Sequence, residues 1–226
     1  ECFVIFCEVS QLDASLYRVD WIRQLVSGLK ELDVKMHTAA WKVLDTFVKS
    51  LPKDELEPLV VPLRRSIEST GSPGHHVPGL SLPKGVAPLV PIVIAGLTTG
   101  SNEQREAGAY TIGDLVEHTA PNAIKPFVVP FTGPPIRVAT QAPGVKAAIL
   151  TALMVMPERI PVFVKPFCPQ LQHTFVKSAG DGFSVAVCTR AAKALGALMQ
   201  HQLCVDPVVT ELIAGVRVAD DEIGAN

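Results

Sequence analysis

Residues 164–178 read VKPFCPQLQHTFVKS and decide the fold class. Phe167, Leu171 and Phe175 recur every fourth position, which is the spacing of one face of an α-helix. Two prolines nevertheless lie in the first turns of this helix, and its tripeptide Lys-Pro-Phe has already occurred at 125–127. The same helix-disturbing tripeptide at two places 40 residues apart indicates a structural repeat, in which it marks one position of successive units.

Prolines give the period of the repeat. Those in DPVV, KPFC, KPFV and APLV are separated by 41, 40 and 38 residues, and a further one in EPLV lies 30 residues earlier. We predict that each begins the first helix of a pair, helix A, because the first turn of a helix tolerates proline. A second proline three or four residues later removes a hydrogen bond and should kink the helix. The first and second prolines are Pro58, Pro88, Pro126, Pro166 and Pro207, then Pro62, Pro91, Pro130 and Pro169.

A second pattern, helix B, lies between the A helices. It begins near residues 37, 105, 146 and 188 with HTAAWKVLDTF, REAGAYTIGDL, KAAILTALMVM and CTRAAKALGAL. Apolar residues three, seven and ten positions into these strings form one helical stripe. Glycine and alanine within the stripe should let a neighbouring helix approach closely.

Antiparallel helix pairs of about 40 residues predict an all-α fold, a HEAT-type α-solenoid. We expect one array over residues 1–226. The segment 69–85, STGSPGHHVPGLSLPKG, should be an irregular loop that replaces or displaces one B helix. The predicted helices cover 18–31 with 34–50, 54–70, 87–98 with 103–119, 122–139 with 144–158, 161–178 with 184–201, and a last A helix from about 206.

Composition narrows the class of protein. The chain has 226 residues, of which 48% are hydrophobic, 6% aromatic and 19% charged, which excludes disorder. No stretch has the apolar length of a membrane span, and a net charge of −2 predicts no direct DNA binding. Five cysteines without C-x-x-C spacing favour free thiols in a reducing, cytoplasmic compartment. Because the chain starts with Glu and ends in ADDEIGAN, we expect part of a longer protein.

Signals for catalysis are missing from the sequence. It contains no G-x-S-x-G motif, no glycine-rich phosphate loop and no His/Cys metal spacing, so we predict no catalytic residues, no cofactor and no metal. The pair at 75–76, two histidines, lies in the predicted loop and lacks nearby carboxylates. Asp114, Glu117 and His118 share a helix face, for which a solvated polar surface is the simpler interpretation.

A specific resemblance appears at 96–138, GLTTGSNEQREAGAYTIGDLVEHTAPNAIKPFVVPFTGPPIRV. It resembles the fungal-type HEAT-repeat translational activator of the general amino-acid control pathway. VVPLRRSIESTG, LPKGVAPLVPI, KPFCPQLQHTFVKS, TRAAKALGAL and VDPVVTELIAGVR follow in the same order, so the resemblance covers about 21–217. The chain departs from the pattern at 1–17, at Pro134-Pro135, at Gly182-Phe183, and at His173 and Cys188, where arginine is usual.

The resemblance implies a non-enzymatic scaffold. Such a protein binds ribosomes and, through C-terminal HEAT repeats, the RWD domain of a stress-activated kinase that phosphorylates a translation initiation factor. This chain would belong to the RWD-binding region, with ribosome contact made by the parent protein. The alternative is a generic HEAT interaction solenoid, for ribosome docking or transport, because fold alone does not fix function.

The candidate contact residues come from equivalent positions of the repeat. His37, Arg105 and Lys146 each begin a B helix, and Cys188 breaks the series. Such a ladder has two interpretations: polar bonds between adjacent repeats, or a basic strip that meets acidic groups of a partner. For the second, we predict Arg105 and Lys146 foremost, with Arg137 and Arg190 as further contacts, whereas Arg64-Arg65 and Lys165 should be ordinary solvated residues.

Overall fold

The computed structural model describes residues 15–68, 75–138, 142–180 and 184–201, with two further pairs at 209–210 and 213–214. Within these residues the secondary structure is helical, without strands, as predicted. The helices are α1 (Arg18–Leu29), α2 (Val34–Ser50), α3 (Val60–Glu68), α4 (Val90–Thr98), α5 (Asn102–His118), α6 (Pro121–Ile124), α7 (Val128–Val138), α8 (Pro143–Arg159), α9 (Pro161–Val164), α10 (Cys168–Ala179) and α11 (Val185–Met199). Most of the predicted last A helix, from 206, lies outside the described residues.

Capping residues start the longer helices. The Asp33 side chain accepts a hydrogen bond from Lys35 N at 2.8 Å and begins α2. Ser101 and Gln104 form a reciprocal capping box at the start of α5, which satisfies two backbone N–H groups that have no intrahelical partner. Pro143 stands at the first position of α8, where a missing N–H group costs nothing.

The helices pair in the order that the repeat predicts. α4 packs on α5, α7 on α8, and α10 on α11, while α5, α8 and α11 stack directly on one another as a B layer. The A helices α4, α7 and α10 follow one another on the other side. Each helix pair contacts mainly the pairs before and after it in sequence, which is the organisation of a solenoid.

Glycines allow the close packing of α5. A Cβ atom on Gly108 would lie 3.1 Å from Leu97 N and Val93 O of α4, and one on Gly113 would lie 3.4 Å from Ala152 Cα of α8. A larger side chain at either position would push the neighbouring helix away. The prediction that small residues permit close helix approach is therefore confirmed on both sides of α5.

The kink in the A helices differs from the prediction. The A helices begin at Pro121 and Pro161, close to the predicted ranges 122–139 and 161–178, so the tripeptide proline does not begin them; each runs for one α-helical turn before the tripeptide. Lys125–Phe127 and Lys165–Phe167 are 3-10 turns that join this first turn to α7 and α10. The tripeptide itself therefore interrupts the helix, because its proline lacks the N–H group that a continuous α-helix needs at mid-helix. The second prolines lie in the first turn of the following α-helix, where the missing N–H group removes no intrahelical hydrogen bond.

The predicted A helix at 54–70 is also shorter than expected. Two 3-10 turns, Lys53–Glu55 and Glu57–Leu59, precede the nine residues of α3. The turn at Glu57–Leu59 packs on α4, whereas α3 packs on α1 and α5. The segment therefore contacts helices of both layers.

The segment after α3 has no helix between residues 75 and 89. It is nevertheless part of the core, since Val77, Leu80, Val86 and Leu89 are all buried. Its backbone is tied to the helices around it: Val77 N donates to His118 O at 2.8 Å, and Gly79 N donates to Leu29 O at 2.9 Å. The sequence predicts an irregular loop at 69–85, and it did not predict that the part from residue 77 onwards belongs to the core.

No single described helix is long and apolar enough to cross a bilayer. Joined end to end, the segments Pro143–Arg159 and Pro161–Ala179 would have the necessary length and apolar composition, but the chain bends by 116° between them.

Candidate partner-binding surface

The starts of the B helices occupy the same helical position. His37, Arg105, Lys146 and Cys188 are each the fourth residue of their helix. In each case the backbone N–H donates to the carbonyl oxygen of the N-cap residue, over 2.8–3.1 Å. The equivalence predicted from sequence is therefore confirmed by backbone register.

The side chains at these positions differ. His37 is buried, and its Nδ1 atom lies 2.9 Å from Glu31 O, so it is a core residue rather than a member of a basic strip. Arg105 is half-buried, and its Nη2 donates to Thr98 O, the last residue of α4, at 3.4 Å. Lys146 is half-buried at the start of α8. Of the four equivalent positions, Arg105 and Lys146, on consecutive B helices, are those with half-buried basic side chains.

Arg137 lies in the last turn of α7 and is exposed. A cation at this end of a helix interacts favourably with the unpaired carbonyl groups of the last turn. Of the four predicted contact residues, Arg137 presents its charge most openly to solvent.

Arg190 makes an internal bridge. Its Nη1 atom donates to Tyr110 OH at 2.8 Å, to Thr151 Oγ1 at 3.0 Å and to Ala147 O at 3.2 Å. Tyr110 and Thr151 are each the ninth residue of their helix, so one guanidinium on α11 reaches equivalent positions on both preceding B helices. Bonds between repeats therefore do run along the B layer, and Arg190 supplies them.

The same line of polar groups continues to α3. The Arg64 guanidinium carbon lies 4.2 Å from the centre of the Tyr110 ring, and Arg64 Nη2 donates to Glu68 Oε1 at 2.6 Å. The prediction of an ordinary solvated Arg64 is wrong, because the planar guanidinium stacks on an aromatic face. Tyr110 was not among the residues predicted from sequence. A large aromatic residue among the small residues of the B-helix string could have indicated it.

Asp114 lies beside this line on α5. Burial raises the pKa of its carboxyl group to about 6, and attraction by Arg64 only partly opposes this. Its Oδ2 atom is buried and has no hydrogen-bond partner among the residues the structure describes. Glu117 accepts a hydrogen bond from Arg159 on α8 at 2.8 Å. His118 is buried, and its Nδ1 atom lies 3.0 Å from His75 O. The prediction that these three residues form a solvated polar surface is therefore wrong.

Metal-binding geometry is not found in the described part of the chain, where no group of three or more His, Cys, Asp and Glu side chains could hold an ion. Burial raises the pKa of the Cys168 thiol, which makes the thiolate less available at neutral pH.

Paired helices stacked in register define an α-solenoid of the HEAT class. The family model that describes GCN1-like stalled ribosome sensors with HEAT repeats matches residues 1–84. The eIF-2-alpha kinase activator GCN1 of Saccharomyces cerevisiae is 42% identical over 219 residues, and the human stalled ribosome sensor GCN1 is 37% identical over 226 residues. Each match covers 96% of this chain. The chain is thus a HEAT-repeat array of the GCN1 type.

A plant relative, the protein ILITYHIA of Arabidopsis thaliana, is 36% identical over 93% of the chain. The chain spans only 8% of the length of each of these relatives. No solved structure matches it.

Proposed function

We propose that this chain is a non-enzymatic, cytoplasmic scaffold that binds the RWD domain of an eIF-2-alpha kinase. Within a longer parent protein, it would support activation of the kinase on ribosomes during amino-acid starvation. The names of the yeast and human relatives, a kinase activator and a stalled ribosome sensor, support this direction.

One observation carries the choice of surface. Because Arg105 and Lys146 hold the same position on adjacent stacked helices, their side chains start from points about 10 Å apart, the usual separation of packed helices. An arginine fork and a lysine at this spacing suit two carboxylates on one face of a compact domain. Arg137 would add a contact at the edge, and Arg190 would act mainly by holding the B helices in place.

The test measures binding of purified RWD domain to the 226-residue chain by calorimetry. Replacing Arg105 by Glu should weaken binding by about 2 kcal/mol if the pair is desolvated, or by less than about 1 kcal/mol on a wet rim. Arg65→Glu is the matched control, because it reverses the same charge at a residue that is exposed on α3, away from the B-helix starts.

Thermal unfolding of the same proteins separates the two interpretations of the ladder. If Arg105 serves only to bond Thr98 O, Arg105→Glu will lower the melting temperature and leave the affinity of the folded protein unchanged. That result, or an equal loss of affinity in Arg65→Glu, would remove Arg105 from the proposed surface.

Ribosome docking by this chain itself is a second candidate, because relatives are named as stalled ribosome sensors. Cosedimentation of the chain with ribosomes in the absence of any RWD domain would favour it. The two candidates differ in salt dependence, since contact with ribosomal RNA should weaken steeply as salt rises.

A further inference from the structure

Charge is unevenly distributed along the chain. Residues 119–201 contain eight Lys or Arg and two Asp or Glu, whereas residues 1–118 contain eleven and fifteen. The near-neutral total therefore hides a basic region with a net charge of +6. The A-layer helices of this region, from Pro121 to Val138 and from Pro161 to Ala179, contain no acidic residue.

The two Lys-Pro-Phe turns place exposed cations side by side on the A layer. Lys125 and Lys165 are both exposed at the start of their 3-10 turns. Lys125 Nζ lies 5.6 Å from the centre of the Phe163 ring on the following A helix, so this side chain extends across the groove between the two helices. Lys125 and Lys165 hold the same position in successive A helices, and packed helices lie about 10 Å apart, so the two lysines belong to the two helices that border the groove.

Exposed valines lie next to these lysines. Val129 follows Lys125 by one turn and is 64% exposed; Val162 precedes Lys165 by one turn and is 77% exposed. Neither valine contributes to the core, and both project from the same helices that carry the cations. The groove is therefore bordered by basic and apolar groups at one-turn intervals.

We propose that this groove, the A-layer groove, binds an acidic amphipathic helix of a partner protein. The contact residues are Lys125, Val129, Val162 and Lys165. The proposal goes beyond the RWD-binding function and uses different side chains, on the other layer of the solenoid from Arg105 and Lys146.

The exposed valines of the groove favour a protein partner over a nucleic acid. A phosphate backbone would use the lysines but would gain nothing from Val129 and Val162. Recognition of single-stranded RNA also relies on exposed aromatic faces, whereas the Phe163 ring is half-buried and faces Lys125. An amphipathic helix offers both apolar side chains and flanking carboxylates, which complement the exposed valines and lysines of this groove.

The test uses the 226-residue chain and a labelled peptide of about 20 residues, long enough to form a helix. Leucines at i, i+3, i+4 and i+7 form its apolar face, and glutamates flank that face. Two other probes are the same peptide with lysine in place of glutamate, and a labelled RNA of similar length, single-stranded or duplex. Fluorescence anisotropy measures the affinity of each probe.

We expect the acidic peptide to bind and the lysine peptide not to bind. The double variant Lys125→Glu/Lys165→Glu should weaken binding about tenfold, because two favourable charge contacts become repulsive. Val129→Ser/Val162→Ser should weaken it about fivefold through lost apolar contact. The control Lys35→Glu/Lys42→Glu, which reverses two exposed lysines on α2, should leave the affinity unchanged.

The proposal is overturned if the acidic peptide does not bind, or if the control pair weakens binding as much as the groove pair. It is also overturned if RNA binds more tightly than the peptide, with a loss in the lysine variant and none in the valine variant. Circular dichroism checks that all variants are folded. Binding of the RWD domain by Lys125→Glu/Lys165→Glu should remain intact, so failure of one proposal is distinguishable from failure of the other.

Discussion

The two halves of the described chain build a continuous core in different ways. From α4 to α11, successive A and B helices stack directly, and α5, α8 and α11 pack on one another in order. Before α4, α2 makes no extensive contact with α5, and the irregular segment 75–89 has buried apolar side chains and hydrogen bonds to α1, α2 and α5. The comparison shows that a solenoid tolerates the loss of a helix when the replacing segment pairs its backbone polar groups and supplies apolar side chains.

The two regions also differ in the groups that form hydrogen bonds between successive repeats. In the regular region, side chains such as Arg190 and Arg159 reach from one repeat to an earlier one. In the irregular region, the carbonyl groups of the loop backbone accept such bonds: the Trp41 side chain on α2 donates from Nε1 to Gly85 O at 3.1 Å and lies 3.3 Å from Lys84 O. Lys84 has a positive φ of 63°, so the chain turns sharply there, next to the Trp41 contact.

The largest expected effect tests whether the irregular segment is truly core. Leu80→Ala should lower the free energy of unfolding by about 3 kcal/mol, similar to Leu153→Ala in α8, because both leucines are buried. Chemical denaturation of the two variants gives both values. A loss below about 1 kcal/mol for Leu80→Ala alone would show that the segment covers the helices loosely.

The next largest effect is a pH-dependent gain in stability on replacing Asp114. The pKa of Asp114 is about 6 in the folded chain and near 4 when unfolded, so the folded state binds the proton more tightly. Stability should therefore fall as pH rises from about 4 to 6, and Asp114→Asn should remove this fall. At pH 7.5 the variant should be more stable by on the order of 1–2 kcal/mol, below the full value of the shift because the neutral amide of asparagine also loses hydration when buried.

Thermal unfolding between pH 4.5 and pH 7.5 measures this prediction. Glu103→Gln is a control, since Glu103 is an exposed carboxylate on the same helix. If Asp114→Asn destabilises the chain at pH 7.5, the carboxylate makes a favourable ionic contact that outweighs its burial.

The smallest effects compare one lost polar group in each region. Tyr110→Phe removes the acceptor of the Arg190 bond and keeps the ring under Arg64, and should cost about 1 kcal/mol. Trp41→Phe removes the donor to the loop carbonyls and keeps an aromatic ring, with a similar expected loss. Equilibrium denaturation gives both values.

Hydrogen exchange shows where each of these losses is felt. Tyr110→Phe should raise exchange in α11 and α5, because the missing bond joins those two helices. Trp41→Phe should raise exchange at 77–89 and leave α11 unchanged. Faster exchange over the whole chain in either variant would mean that the two regions unfold as one cooperative unit.

Much of the architecture was predictable from sequence because it depends on local chemistry repeated at a constant interval. The period of the prolines and the stripe of apolar residues predicted the pairs from α4 to α11, with ends close to those observed. The common register of Arg105 and Lys146 followed from the same alignment of strings. What failed was the place of the kink, because sequence shows that a proline interrupts a helix but not which turns on either side retain helical bonds.

The sequence by itself determined the class: a helical repeat, its period, and the positions that neighbouring units share. Only the tertiary structure decided the environment of each polar side chain, because burial depends on helices brought together from distant parts of the chain. Thus Arg190 and Arg105 look alike in sequence, yet Arg190 spans to a tyrosine 80 residues away. Asp114 looks solvated on its helix, yet packing raises its pKa to about 6, since a charge removed from water loses hydration that its neighbours only partly replace.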